Sequence, residues 1–240
     1  MKRTKEHKID WNGRIEDKEF ADILFEELAV RKAYIKRVIF RSVHFKNCYL
    51  GFNSKYSDCV FIDCKFYGKY SSLGKPAKYI KCRFENCQFI GMDLFTGQHF
   101  YDCQLSGLMK NPILNDKHPK INNNETVFKN CDLSGLILDN VSIYGKDVFD
   151  NCVLPAVGIR LFDNTNDRLI ERAEEVCREI ETNDKIESEV IFRKKLKQGQ
   201  NPIILDDLFL NSFFKTEKSK KTFEDIVKGY ELNKKNSVNN

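Results

Sequence analysis

Among the residues that could do chemistry, the nine cysteines stand out, and their spacing limits what that chemistry could be. Cys59 and Cys64 are one five-residue step apart, and so are Cys82 and Cys87. Zinc-binding pairs usually sit about two to four residues apart and need a second pair to complete a tetrahedron. His7, His44, His99 and His118 are scattered and supply no such pair. None of them lies in a motif that would join it to a Ser, Cys or Asp nucleophile. The glycines match neither GxxxxGK nor GxGxxG, so no phosphate loop is present. An odd cysteine count without an apolar leader points to reduced thiols in a cytoplasmic setting. The expectation is a non-enzymatic protein with no catalytic residue, no metal site and no cofactor.

The cysteines acquire a meaning when the positions around them are read. The stretch Lys81–Leu94 places large apolar residues at Phe84, Phe89 and Leu94, each five positions on from the last. Cys82, Cys87 and Met92 precede them by two, and Asn86 and Gly91 follow the first two by two. A step of five fits neither a helix nor a strand, whose periods are about 3.6 and 2. The same frame takes in Phe40, Phe45 and Leu50; Phe61 and Phe66; Tyr79; Phe100 and Leu105; Phe128, Leu133, Leu138 and Ile143; and Phe149 and Leu154. Cys48, Cys59, Cys64, Cys82, Cys87, Cys103, Cys131 and Cys152 all fall in the small slot two residues earlier; only Cys177 lies elsewhere. A reduced cysteine packs as a small hydrophobe, so these eight are expected to be core filler alongside Phe45, Phe61, Phe66, Phe84, Phe89 and Phe128.

Turn-forming residues fill the position two after most large ones, as at Ser42, Asn47, Asp63, Gly68, Asn86, Gly91 and Asn130. Gly and Asn tolerate positive φ, so the chain is expected to turn a corner every fifth residue. Four corners close a coil of about 20 residues, and coils stack at roughly 4.8 Å. About four such coils are expected. No coil buries its inner face alone, so neighbours must stack.

The units FKNCYL (Phe45–Leu50), FENCQF (Phe84–Phe89) and FKNCDL (Phe128–Leu133) resemble those of the pentapeptide-repeat family, with Cys where Ala is commoner. The resemblance covers about half of the chain, from Val38 to Leu154. It implies a mainly β fold, a right-handed quadrilateral β-helix solenoid, here with a C-terminal α-helical extension. It implies no single activity, because function lives in sites grafted on folds.

Three regions follow. Residues 1–32 form an N-terminal cap or a degenerate first coil: Phe20, Ile23, Leu24 and Leu28 fit a helix face, while Phe20, Phe25 and Val30 keep the five-residue step. Residues 33–156 are the repeat region, interrupted by loop-like segments at 67–78 and 106–125, rich in Gly, Pro, Asn and Ser. Residues 157–240 are an extension for capping, dimerisation or partner binding. Leu169, Ala173, Val176, Cys177 and Ile180, with Ile186, Val190 and Leu196, have helical spacing over 166–198. A short helix is expected over 203–214, and Thr222–Asp225 has the form of a capped helix start. No apolar run is long enough to span a membrane.

The net charge of +5 is mild and evenly spread. The leading expectation is a scaffold that binds another protein through a coil face, a loop or the extension, with a homodimer through the extension as one use of that tail. Lys69, Tyr70, Lys75 and Lys78 in the first loop are the candidate partner-binding residues. The family resemblance supplies an alternative, mimicry of duplex DNA towards a type II topoisomerase with protection from quinolones. Mimicry requires a strongly acidic rod, and the repeat region is slightly basic. A further alternative, nucleic-acid binding through Lys215, Lys218, Lys220 and Lys221, rests on a cluster that also reads as a solvated helix start.

Overall fold

The computed structural model describes residues 3–95, 97–115, 126–144, 148–162, 203–214 and 216–231, with 169, 171, 172 and 175. The chain winds into a parallel β-solenoid of about 6 turns, followed by two short helices near the C-terminus. At the usual strand spacing, that stack is roughly 25–30 Å tall. It holds more coils than the expected four because the repeat reaches back well beyond residue 33.

The N-terminal region settles as coil rather than capping helix. Strands Thr4–His7, Asp10–Glu16, Glu19–Ala21 and Ile23–Glu26 pair in parallel with the coil that follows, in register Phe20↔Phe40 and Phe25↔Phe45. The same registers continue upward as Phe40↔Phe61↔Phe84 and Phe45↔Phe66↔Phe89. A left-handed residue recurs at the corners, at Asp22, Glu27, Lys32, Arg37, Ser42 and Asn47. Their φ values lie between 50° and 62°. Glu27, Lys32 and Arg37 are not turn formers, and a non-glycine residue held there costs about 1–2 kcal/mol. Stacking of the flanking strands holds them in place.

Side chains of the large slots meet ring on ring in the core. Phe40–Phe61 and Phe45–Phe66 stack with centroids 4.7 and 4.9 Å apart. Tyr56, Tyr79, Phe100 and Phe128 form another column, at 4.6, 4.9 and 4.7 Å. The two tyrosine hydroxyls are buried and donate to Leu50 O (2.8 Å) and Leu73 O (2.7 Å). That satisfies groups which would otherwise be costly to bury. Gly107 shows how closely corners approach one another. It has φ +110°, and a Cβ there would stand 2.0 Å from the Cys87 carbonyl oxygen.

The insertions are shorter than their composition suggested. The first is confined to 68–76, between strands Lys65–Tyr67 and Ala77–Ile80, so Lys78 is a strand residue. In the second, Gln104–Lys110 and Ile113–Asn115 are strands, and residues 116–125, including His118, lie outside the described residues. Asn111, with φ +54°, marks a corner between those two strands.

The extension is not all helical. Ile203–Asp206, expected within a helix, is a strand paired antiparallel with Ile159–Phe162. Helix α1 (Asp207–Phe213) follows, capped by Asp206, and then helix α2 (Glu217–Val227). Thr216 caps α2 through a hydrogen bond from Ser219 N (3.0 Å), so Thr222–Asp225 is helix interior. Phe162, Leu205, Phe214, Phe223 and Ile226 form a second small core. Of the helical spacing expected over 166–198, residues 169, 171, 172 and 175 are helical, and the rest, Cys177 included, lies outside the described residues. No described helix is long and apolar enough to cross a membrane.

Candidate functional site

The small slots stack the cysteines as they stack the rings. Lys18, Val38, Cys59, Cys82, Cys103, Cys131 and Cys152 each precede a large slot of one solenoid face, so five thiols rise in one column. Their exposures are 0–2%. Cys103, Cys131 and Cys152 donate to the carbonyls of Tyr79, Phe100 and Phe128 in the coil below. Burial pushes Cys48 up to about 11 and raises Cys82 and Cys87. Hydrogen bonds from Cys103 and Cys152 lower Cys131, against the opposing effect of burial. A thiolate nucleophile must be exposed to meet its substrate, and these thiols are enclosed on every side. No described group of three or more His, Cys, Asp or Glu could hold a metal ion.

An outward face carries charge instead. It is built from the second half of Asp10–Glu16, the second half of Ala29–Lys36, and strands Ser54–Ser57, Ala77–Ile80, Gln98–Tyr101 and Val127–Lys129. Residues between the inward positions point out, and parallel register stacks them: Arg14, Tyr34, Lys55, Lys78, His99 and Val127 form one column. Lys36, Ser57, Ile80, Tyr101 and Lys129 form the column beside it. The Tyr34 ring lies under two cations, with Arg14 Cζ at 5.5 Å and Lys55 Nζ at 5.6 Å from its centroid. His99 Nδ1 is 3.1 Å from the Tyr101 hydroxyl. Lys55 and Lys78 occupy adjacent rungs, and like charges that close repel one another. Such a surface attracts negative charge, with rings beside it that stack on cations or planar groups. Acidic residues enter at its ends: Glu16 pairs with Arg14 at 2.9 Å and Asp150 with Lys129 at 2.8 Å.

Of the expected partner-binding residues, only Lys78 belongs to this face. Lys69 and Tyr70 sit together on the bulge, with Lys69 Nζ 5.4 Å from the Tyr70 centroid and Tyr70 71% exposed. Lys75 holds its backbone carbonyl to the Tyr49 hydroxyl at 2.9 Å. Arg14, Tyr34, Lys36 and Lys55 were missed because they are far apart in sequence. Only the coil length, altered by each bulge, brings them into line. A frame that counted outward as well as inward slots would have found Tyr34, Lys55 and Lys78. Of the lysine cluster, Lys215 lies outside the described residues, and Lys220 pairs with Glu217 at 3.2 Å.

A cavity of about 250 Å³ opens beside α1 and α2, lined by Arg160, Asp207, Leu210, Phe214, Phe223 and Glu224. Arg160 already closes on Glu224 (2.7 Å) and Asp207 (3.8 Å), with its guanidinium over Phe223. The charges of this site are thus spent within the fold.

No protein-family model and no curated protein matches the chain. Among solved structures it is similar to trypsin-treated QnrB1, described as a plasmid-mediated fluoroquinolone resistance protein. The match has 11% identity, covers 59% of this chain and 91% of that one, and has a TM-score of 0.18.

Proposed function

We propose that the protein is a non-enzymatic scaffold that binds an acidic protein segment along the Arg14–Tyr34–Lys55–Lys78–His99 face. The observation that carries this reading is the stacking of Lys55 directly on Lys78 beside tyrosine and histidine rings. A rigid solenoid presents such a row without ordering cost, and complementary charge speeds encounter and selects partners. Lys69 and Tyr70 on the bulge, and the extension, are secondary surfaces for the same partner.

The decisive comparison is a pull-down read by mass spectrometry, using the native chain and the Lys55→Glu/Lys78→Glu variant, with melting curves to check folding. The scaffold reading expects one reproducible acidic partner on the native chain and at least a tenfold loss on the variant, roughly 1.4 kcal/mol. Equal recovery by both rejects this face. DNA mimicry predicts instead that the protein inhibits gyrase supercoiling or rescues it from a quinolone. The cationic row favours the scaffold over that alternative, since a mimic of duplex DNA carries negative charge. Nucleic-acid binding predicts a gel shift that weakens steeply with salt.

A further inference from the structure

Among the described residues, the first coil is flanked by another coil on one side. Among the described residues, Thr4–His7, Asp10–Glu16 and Glu19–Ala21 each end a sheet and pair with the second coil alone. Their outer edges are therefore templates for further strands, of the kind proteins normally shield. Ile9, Trp11, Ile15 and Phe20 lie partly buried at this end of the core. We propose that this end is the interface of a head-to-head homodimer, whose two-fold axis passes through the corner residue Asn12.

Such an axis runs the edge strands antiparallel and sets each residue before Asn12 against the one equally far after it in the other copy. The corner suits that symmetry. Trp11 pairs with Val30 and Gly13 with Ala33, so a two-residue corner in the second coil becomes Asn12 alone in the first. Core-facing positions then fall evenly about the axis. Ile9 meets Ile15, and the Trp11 indole meets Gly13, which has no side chain to obstruct it.

The charges match under the same operation. Asp10 faces Arg14, Lys8 faces Glu16, and His7 faces Asp17. Lys5 faces Glu19, and no two like charges meet among the described residues of this coil. Some of these groups already have partners within the chain, such as Arg37–Asp17 (2.6 Å) and Arg41–Glu19 (3.3 Å). The Asp17 and Glu19 carboxylates remain more than half exposed, at 61% and 52%, as does Asp10 near Arg31, at 69%, while Glu16, held by Arg14 at 2.9 Å, is 21% exposed. Sharing a carboxylate between coils has a precedent here: Glu26 is held by Lys5 from the first coil and Lys46 from the third.

Glu6 and Lys18 decide between a mate and a merely solvated end. Glu6 occupies the large slot filled above it by Phe25, Phe45, Phe66 and Phe89. Lys18 occupies the small slot that Val38, Cys59 and Cys82 fill above it. Two charges of any sign would blunt an end against stacking. Opposite signs, placed equally far from Asn12, additionally put Glu6 of one copy against Lys18 of the other, twice per dimer.

A charge swap followed by light scattering tests this. The native chain is expected at twice its 28.1 kDa mass. Lys18→Glu and Glu6→Lys are each expected to halve that mass, and the double variant to restore it. Asn12→Cys under mild oxidation is expected to yield a covalent dimer, because the axis brings residue 12 against itself, and Lys18→Glu is expected to abolish it. Melting curves report whether each variant folds. If the single variants unfold, the Asn12→Cys cross-link in the otherwise native chain decides the matter. A native chain at single mass, a dimer indifferent to either reversal, or a double variant that stays monomeric overturns the proposal. Indifference to both reversals would place a dimer contact elsewhere, for instance on the extension.

Discussion

Phe61 and Phe84 lie face to face in successive coils, with centroids 4.5 Å apart and planes 2° from parallel. Both are at most 1% exposed. Phe84 also meets Phe89 at 5.7 Å and Tyr79 at 5.8 Å, so it joins three columns of rings. Phe84→Ala removes a buried ring from a lattice that cannot collapse, because backbone pairing fixes the rung spacing. The expected loss is about 3–5 kcal/mol, against about 1.5 kcal/mol or less for Phe84→Leu. Urea unfolding with a fixed m-value measures both.

Asp206 joins the extension to the solenoid. Its carboxylate accepts from Phe209 N at 2.7 Å, capping α1, and from Asn140 N (3.1 Å) and Val141 N (3.3 Å) on a coil corner. The residue is 3% exposed. Asp206→Ala loses the cap and removes an acceptor from two coil donors, at a cost of about 2–4 kcal/mol. Hydrogen exchange is expected to show α1 losing protection first, while central strands such as Arg83–Ile90 keep theirs.

Lys46 and Lys5 hold the Glu26 carboxyl down to about 2. A carboxylate whose folded pKa lies below its unfolded value of 4.5 stabilises fully above that value. The contribution is lost as pH falls towards 2. Melting temperature is therefore expected to drop over this window, and Glu26→Gln to flatten the drop. Added salt should reduce the difference between the two proteins, since the lysines are partly exposed.

The eight repeat cysteines are expected to resist a thiol reagent until the solenoid opens. Titration of the native protein should leave all eight unmodified, and titration in denaturant should recover them. Fast native modification of Cys131, whose pKa its neighbours lower, would show that the column breathes. Added zinc is expected to leave the native titration unchanged.

Much of this architecture was legible because the signal is local. A corner each fifth residue and a Cys–x–Phe alternation are set by backbone preferences within a few residues, and they name the core without knowledge of what stacks on what. Where corner residues are atypical, as at Glu27, Lys32 and Arg37, local preference is silent and neighbouring coils impose the left-handed turn. Tertiary structure alone decided the relations between distant residues. Ile203–Asp206 became a strand because Ile159–Phe162 offered it an edge, whereas its own residues also fit a helix. Lys55 met Lys78, and Asn12 became a lone corner, because bulges and a shortened turn set the register between coils. Register sums the length of every intervening turn, so no short window of sequence contains it.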